Sequence, residues 1–266
     1  MALIITVAVI FVLAIVMTMA GRGGGNFYVL VQIVAGVSMH QAATTGQFLM
    51  FVTSLAALLI FQSHKQVAWP MAVFIGLTTS LMAFVGGVTA HSFSGPTLKI
   101  VFAALLTLAG MLMLFPVRQD PGPARMKWGL WRFASGGTEY VVNLWAAVPI
   151  ALGTGFVAGM VGVSGGSFLV PLMVLACRLP MRLAIGTASV MVAATALMGF
   201  LGHVSQGAFD PRWVLPQAGA AIAGGLIGGK LTFQTKPKHL KRIFAFTTLA
   251  AAVFVLIRVL QAPQAP

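Results

Sequence analysis

A glycine-rich motif occurs twice in this chain, each time between two long apolar runs. The clearer copy, GVSGGSFLVPLMVLACRLPMRLAIGTAS, occupies residues 162–189, and a weaker copy, GRGGGNFYVLVQIVAGVSMHQAATTGQF, occupies residues 21–48. Equivalent residues, such as Gly24 and Gly165, lie 141 positions apart. Self-similarity at a fixed offset predicts a duplicated unit, and flexible polar backbone between apolar runs is typical of membrane proteins that bind a ligand within the bilayer.

The composition excludes an ordinary soluble domain. Of the 266 residues, 59% are hydrophobic and only 7% are charged, so the solvent around the chain must be lipid. The 16 Lys and Arg against 3 Asp and Glu would suggest nucleic acid in a soluble protein. Here the cations lie in short loops between apolar runs, which indicates membrane orientation instead. Cys177 is the single cysteine, so we predict no internal disulfide, no metal site and no cofactor.

The apolar runs predict an all-α integral membrane protein with about ten membrane segments. The segments are 2–20, 26–37, 41–61, 67–90, 100–115, 144–163, 167–177, 184–204, 213–233 and 243–260. Segments two and seven hold about a dozen residues each, or roughly 18 Å of helix, against a bilayer core of about 30 Å. No Lys or Arg precedes the first run, so we expect a retained helix rather than a signal peptide.

Residues 116–143 are rich in Pro, Gly and charge and separate the first membrane repeat, 1–115, from the second, 144–260. In this linker the aromatic residues Trp128, Trp131 and Phe133 interleave with Lys127 and Arg132. Two interpretations stay open for them. They form either an amphipathic helix at the headgroup level or an irregular loop.

The distribution of cations predicts the topology. If all ten segments cross, one side of the membrane collects 13 cations and the other keeps only Lys99, Arg212 and Arg258. If the two short segments turn back, the division is nearly even, so the positive-inside rule favours crossing. The linker is then cytoplasmic and both termini are not. Five crossings per repeat also invert the second copy relative to the first.

Each glycine turn precedes a short helix, so free N–H groups and the positive end of a helix dipole point the same way, which favours an anion. The Thr- and Ser-rich entry to the following segment adds hydroxyl donors. The candidate substrate-binding residues are Arg22, Gly24, Gly25, Asn26, Thr44, Thr45, Gln47, Gly165, Gly166, Ser167, Gly186, Thr187 and Ser189.

Each candidate has a structural alternative. Membrane glycines often allow close helix packing, as is open for Gly153, Gly155 and Gly159, and hydroxyls often bond to their own helix. Arg22 either attracts the anion or only sets topology. Because the clearer copy has Val163 at the position of Arg22, we expect the helix starts, Thr187 and Ser189 to suffice.

The sequence gives little support for ion coupling through carboxylates or for a hydrolytic enzyme. Asp120 and Glu139 lie in the linker and Asp210 lies in a loop, so carboxylate-based ion coupling lacks its usual residues. The chain has no HExxH or GxSxG motif. We therefore expect a protein that is not an enzyme.

The sequence resembles the TauE/SafE sulfite exporter family, also called the 4-toluene sulfonate uptake permease family. GTGFVAGMVGVSGGSFLVPLMV followed by AIGTAS looks like its glycine and proline signature, and GRGGGNFYV with AATTGQF is similar to its divergent amino-terminal version. The matching positions are Gly24, Gly25, Gly165, Gly166, Pro171, Thr187 and Ser189. Two positions depart from the pattern, because Leu30 stands opposite Pro171 and Ser164 replaces a frequent third glycine.

The resemblance implies a bacterial inner-membrane transporter that moves small sulfur-containing anions, such as sulfite, sulfoacetate or other organosulfonates, usually outward. Its site would lie near the membrane midplane, between the two repeats. We expect its partners to be such an anion and the lipid bilayer, with no nucleic acid and with a homodimer left open. Two alternatives also remain open: a passive anion channel on the same fold, and a scaffold protein in which the glycines serve packing alone.

Overall fold

The fold is described from a computed structural model of the chain. The residues that it describes are 2–89, 104, 107, 110–111, 129–135, 138–161, 166–204 and 209–260. Within these ranges the chain is mostly helical, with one two-stranded antiparallel sheet between the two halves. The protein is therefore helical, as the apolar runs predict.

In the first half, the helices with described bounds are α1 (Ala2–Met19), α2 (Gly25–Val34), α3 (Met39–Ser63) and α4 (Trp69–Thr89). In the second half they are α5 (Leu144–Val161), α6 (Gly166–Pro171), α7 (Met181–Val204), α8 (Pro211–Gln234) and α9 (Pro237–Leu260). A π-helical turn, Leu172–Ala176, continues α6.

Four of these helices have the length and apolarity of membrane spans. They are α1 over its whole length, α3 over Gln41–Ser63, α4 over Trp69–Gly86 and α7 over Met181–Gly202. Large apolar side chains on the outside of the molecule, such as Ile4 and Leu81, are 74% and 68% exposed. Such exposure fits a surface that lipid covers.

Most predicted segments correspond to observed helices. The short segments at 26–37 and 167–177 correspond to α2, with ten residues, and to α6 with its π-helical turn. The fifth segment, at 100–115, lies almost wholly outside the described residues. Ten crossings and an inverted second copy therefore stay predictions.

Both interpretations of the linker aromatics are wrong for Trp131 and Phe133. They lie in strand β1 (Leu130–Ser135), which pairs with β2 (Thr138–Asn143). The physical reason is that side chains along a β-strand alternate between its two faces, with a period of two residues. Trp131 and Phe133 therefore share one face of the strand, with ring centroids 5.3 Å apart. Trp131 also contacts Phe74 of α4, at 5.5 Å between centroids. The aromatics therefore pack the hairpin against α4. Trp128 lies outside the described residues.

The helices of the two halves interlock. α1 packs against α8, α3 packs against α7 and α8, and α4 packs against α5 and α7. Small residues allow close approach: a Cβ atom on Gly228 of α8 would lie 2.5 Å from the carbonyl oxygen of Ile15, and one on Gly155 of α5 would overlap the carbonyl of Thr79. Packing thus accounts for Gly155. Gly153 has no neighbour within 4 Å of such an atom, and the surroundings of Gly159 lie outside the described residues.

Candidate functional site

The turn between α1 and α2 depends on three glycines. Gly21, Gly23 and Gly24 have φ angles of +69°, +64° and +89°, which side chains with a Cβ rarely adopt. The N–H of Gly21 bonds to the carbonyl of Thr18 at 2.9 Å, which closes the last turn of α1. Gly24 is the N-cap of α2 and provides no side-chain cap. The turn therefore holds Arg22 inside the protein.

The two glycine motifs touch each other. A Cβ atom on Gly166 would lie 2.9 Å from the carbonyl oxygen of Gly21 and 3.1 Å from the Cα of Arg22. Val192 of α7 contacts both elements, because its methyl groups lie 2.9 Å and 2.7 Å from Cβ positions on Gly166 and Gly23. We call the turn 21–24, together with Gly166 and Val192, the glycine junction. It brings together candidates that are far apart in sequence.

Arg22 is buried at the glycine junction and is only 3% exposed. Its Nη1 donates to the hydroxyl oxygen of Thr248 in α9 at 3.2 Å, and its guanidinium carbon lies 5.8 Å from the ring centroid of Phe244. The Thr248 hydroxyl donates its own proton to the carbonyl of Phe244 at 2.7 Å, which leaves an oxygen lone pair for Arg22. A guanidinium removed from water attracts oxyanions and binds two oxygens through its planar fork.

Two buried hydroxyls near the turn have no hydrogen-bond partner among the described residues. They belong to Thr18 of α1 and Ser54 of α3, which are 3% and 2% exposed. The Ser54 oxygen lies 2.6 Å from the position of a Cβ on Gly23. Unpartnered buried hydroxyls are rare and indicate a water or a ligand.

The sequence did not single out Thr18, Ser54 or Thr248. Thr18 lies one helical turn before the glycine motif, a position that could have indicated it. Ser54 and Thr248 lie within the apolar helices α3 and α9. Their spacing in the sequence does not indicate a site, because only the packing of α3 and α9 brings them near the turn between α1 and α2.

The hydroxyls of Thr187 and Ser189 bond to their own helix, as the structural alternative describes. Thr187 donates to the carbonyl of Leu183 at 2.7 Å, and Ser189 donates to that of Ile185 at 3.0 Å. Thr187 also accepts a bond from the backbone N–H of Ala68 at 3.0 Å. A Cβ on Gly186 would overlap the carbonyl of Gln66. Gly186 and Thr187 join α7 to the start of α4, and a contact of Gly186, Thr187 or Ser189 with substrate stays a prediction.

The remaining candidates are spread over several places. Thr44, Thr45 and Gln47 are buried in α3, and the Gln47 amide oxygen has no hydrogen-bond partner among the described residues. Gly25 begins α2. Asn26 and Ser167 have their backbone in α2 and α6, but their side chains lie outside the described residues, as does the whole of Gly165.

A cavity of about 240 Å³ lies where α2 ends and where α3 and α8 begin. It is lined by Ala35, Gly36, Val37, Gln41, Thr45, Asp210 and Trp213. Thr45 is the one predicted site residue in this lining, and Asp210 uses its carboxylate to cap α8 through the N–H of Arg212 at 3.0 Å. No group of three His, Cys, Asp or Glu side chains within the described ranges is placed to hold a metal.

The sequence profile of the family described as "Sulfite exporter TauE/SafE" matches residues 6–255. The chain belongs to the TauE/SafE family. Its match to that family covers α1 to α9 and therefore includes the glycine junction and the cavity. A membrane transporter is the function that this family indicates, and the resemblance stated from the motifs is confirmed.

Curated relatives of this TauE/SafE chain are named as probable membrane transporters. A "Probable membrane transporter protein" of Xylella fastidiosa is 27% identical over 245 residues, which is 89% of this chain and 88% of that protein. "Probable membrane transporter protein YunE" of Bacillus subtilis is 23% identical, with 87% of each chain covered. "Probable membrane transporter protein YdhB" of the same organism is 21% identical over 94% of this chain and 98% of its own. No solved structure gives a significant match.

Proposed function

We propose that this protein exports small sulfur-containing anions, such as sulfite, sulfoacetate or other organosulfonates, and binds them at Arg22 in the glycine junction. One observation carries the proposal: a buried arginine, Arg22, has its backbone where the glycine motifs of both copies meet. The description of the family, which names sulfite export, supports the same class of substrate.

The groups around Arg22 suit a small oxyanion. Thr248 and Phe244 hold the guanidinium in place, and the unpartnered hydroxyls of Thr18 and Ser54 belong to residues next to the turn that carries Arg22. Sulfite and sulfonates each present three oxygens around one sulfur, so the planar fork of one Arg can engage two of them. The sequence predicts that the N-termini of the short helices provide most of the attraction for the anion, but these contacts favour Arg22.

The packing of the helices supports two inverted repeats as part of this proposal. If α1 corresponds to α5, α3 to α7 and α4 to α8, the most extensive contacts between the halves have counterparts. The contact of α1 with α8 corresponds to that of α5 with α4, and the contact of α3 with α8 corresponds to that of α7 with α4. Such exchange of partners is what a two-fold pseudosymmetric transporter requires. The proposed location is the bacterial inner membrane, with the linker in the cytoplasm and both termini on the opposite side.

The experiment measures flux in liposomes that contain the purified protein. We expect saturable uptake of radiolabelled sulfite or sulfoacetate, with counterflow from the trapped anion. Flux without saturation or counterflow would indicate a passive channel instead. Absence of both flux and thermal stabilisation by any sulfur oxyanion would contradict the proposal and favour the scaffold alternative.

Arg22 is tested with substitutions and a matched control. Arg22→Gln removes the charge and should reduce anion affinity about tenfold or more, whereas Arg22→Lys keeps the charge and should lose less. Arg182 offers the control, because its guanidinium also lies 5.8 Å from a phenylalanine ring but donates to the carbonyls of Phe233 and Thr235. Arg182→Gln should leave anion affinity near that of the parent.

A further inference from the structure

Two glutamines, one from each half of the chain, bond to each other in the interior. Gln32 of α2 and Gln217 of α8 are both fully buried. The Nε2 of Gln32 donates to the Oε1 of Gln217. Trp213 closes a ring, because its indole nitrogen donates to the Oε1 of Gln32 at 2.7 Å and its carbonyl accepts from the Nε2 of Gln217 at 2.9 Å. We call these three residues the amide triad.

The chemistry of Trp213 fixes how both amides are oriented. An indole N–H can only donate, so Gln32 must present its oxygen to the ring and its nitrogen to Gln217. A carbonyl can only accept, so Gln217 must present its nitrogen to Trp213 and its oxygen to Gln32. Each amide nitrogen carries two N–H groups, and the triad uses one on each. The triad is thus a fixed set of neutral hydrogen-bond donors.

The amide triad lies between the glycine junction and the cavity. Along α2, Gln32 follows Gly25 by seven residues, or about 10 Å of helix. Along α8, Gln217 precedes Gly228, which packs beside Thr18, by eleven residues, or about 16 Å. Trp213 itself lines the cavity.

Polar groups also lie between the glycine junction and the cavity. The hydroxyl of Tyr28, one helical turn before Gln32, shares a hydrogen bond of 3.1 Å with Thr53 of α3. Gly225 of α8 packs against the carbonyl of Thr53. Tyr28 and Gln32 thus place two buried polar side chains along α2 between the turn that holds Arg22 and the cavity.

We propose that the amide triad is a second binding point for the transported oxyanion, on its route between Arg22 and the cavity. This inference rests on the proposed function. Polar side chains inside a membrane protein are costly and often mark the substrate pathway. Amide N–H groups bind sulfite or sulfonate oxygens without a full charge, so an anion can be selected there and still leave. Arg22 would then provide affinity, and the triad would provide selectivity for oxyanions.

Substitutions that keep the size of the side chain test the triad. Gln32→Met and Gln217→Met remove the donors, and Gln32→Glu replaces a donor with an acceptor that repels anions. We expect sulfoacetate flux to fall about tenfold or more in each variant. Thermal stabilisation by sulfoacetate should persist in the two Met variants, because Arg22 remains.

Gln62 provides the matched control for these substitutions. Its Oε1 accepts a bond from the indole nitrogen of Trp69 at 2.9 Å, the same bond that Gln32 makes to Trp213, but on the exposed end of α3. Gln62→Met and Gln62→Glu should therefore leave the flux unchanged. If the triad variants show normal sulfoacetate flux while the parent transports, the proposed role of the amide triad as a binding point is contradicted.

A second measurement leaves the amide triad intact. Gln41 and Gln62 lie at opposite ends of α3, both exposed, and only Gln41 lines the cavity. In a Cys177→Ala background, Gln41→Cys and Gln62→Cys are labelled in detergent with sulfonatoethyl methanethiosulfonate and then reconstituted. Labelling should stop sulfoacetate flux for Gln41→Cys and not for Gln62→Cys. Unchanged flux in labelled Gln41→Cys would overturn the route even if the triad variants do not fold.

The failures of the two proposals can be told apart. A parent that neither binds nor transports any sulfur anion contradicts the proposed function. A parent that transports, with labelled Gln41→Cys equally active, contradicts only the route through the triad and the cavity.

Discussion

The hydroxyl of Thr187 in α7 accepts a hydrogen bond of 3.0 Å from the backbone N–H of Ala68, the residue immediately before α4. Thr187 is fully buried, and the same hydroxyl donates to Leu183. Its hydrogen bonds join two helices from different halves of the chain.

This bond predicts the effect of Thr187→Val. The substitution leaves the buried N–H of Ala68 without its acceptor, which should lower the free energy of unfolding by about 1–3 kcal/mol. Anion affinity should stay within about threefold of the parent, because in the proposed site Arg22 carries the attraction. Denaturation and sulfite binding are measured on the same preparation, with Thr187→Ser as the control that keeps the hydroxyl. A large loss of affinity at normal stability would instead favour a direct contact between Thr187 and the substrate.

The close contact at Gly166 predicts a steric effect and a partial rescue. Gly166→Val should push Val192 and the turn at Gly21 apart, abolish transport and lower stability by about 1–3 kcal/mol. Removing the Val192 methyl groups in Gly166→Ala/Val192→Ala should recover part of the anion binding that Gly166→Ala loses. The check is anion-dependent thermal stabilisation of both proteins.

Gly153 is the control for this prediction, because a Cβ there meets no atom within 4 Å. Gly153→Ala should match or slightly exceed the parent in stability. If Gly166→Ala were equally harmless, the glycine junction would not be a tight contact in solution.

The topology predicts which cysteines a membrane-impermeant reagent can label from outside the cell. Substitutions near Ser94 and Gln206 should react, whereas those near Gln66, Ala124 and Lys238 should react only after the membrane is permeabilised. The measurement is labelling of whole cells against opened vesicles, in the Cys177→Ala background. Labelling of Ala124 in intact cells would reverse the proposed orientation.

The contact between Trp131 and Phe74 predicts that the hairpin stabilises α4. Trp131→Ala removes a ring that contacts both Phe74 and Phe133, and it should cost about 1–3 kcal/mol of unfolding free energy. Trp145→Ala is the comparison, since that side chain is 67% exposed. Equal effects of the two substitutions on thermal unfolding would contradict docking of the hairpin on α4.

The sequence predicted the helices well because membrane segments depend on long local runs of apolar residues. The bounds 41–61 and 184–204, for example, fall within α3 and α7. The hairpin was missed because two interleaved cations suggested an amphipathic helix, whereas the alternation over Trp131 and Phe133 decides the structure. Trp131 shows that a period of two can prevail over composition in a segment of six residues.

The candidate site was only partly predictable. The sequence identified Arg22 and Gly166, since they lie in recognisable motifs, and the structure brings them into contact. It could not identify Ser54 or Thr248, because only tertiary packing places Ser54 of α3 beside Gly23 and Thr248 of α9 beside the Arg22 guanidinium. The amide triad was missed for the same reason, because 185 positions of sequence separate Gln32 from Gln217.

The contact between Gly166 and Arg22 has a consequence for how the two copies evolve. A chemical group at the glycine junction, where the two copies meet, needs to be present only once. If one copy keeps a cation there, the other copy does not need one. Val163 can then occupy the position equivalent to Arg22, and Leu30 can occupy the position equivalent to Pro171, without loss of the binding chemistry. In the proposed transporter the two halves can therefore specialise, and neither half alone would hold a complete site.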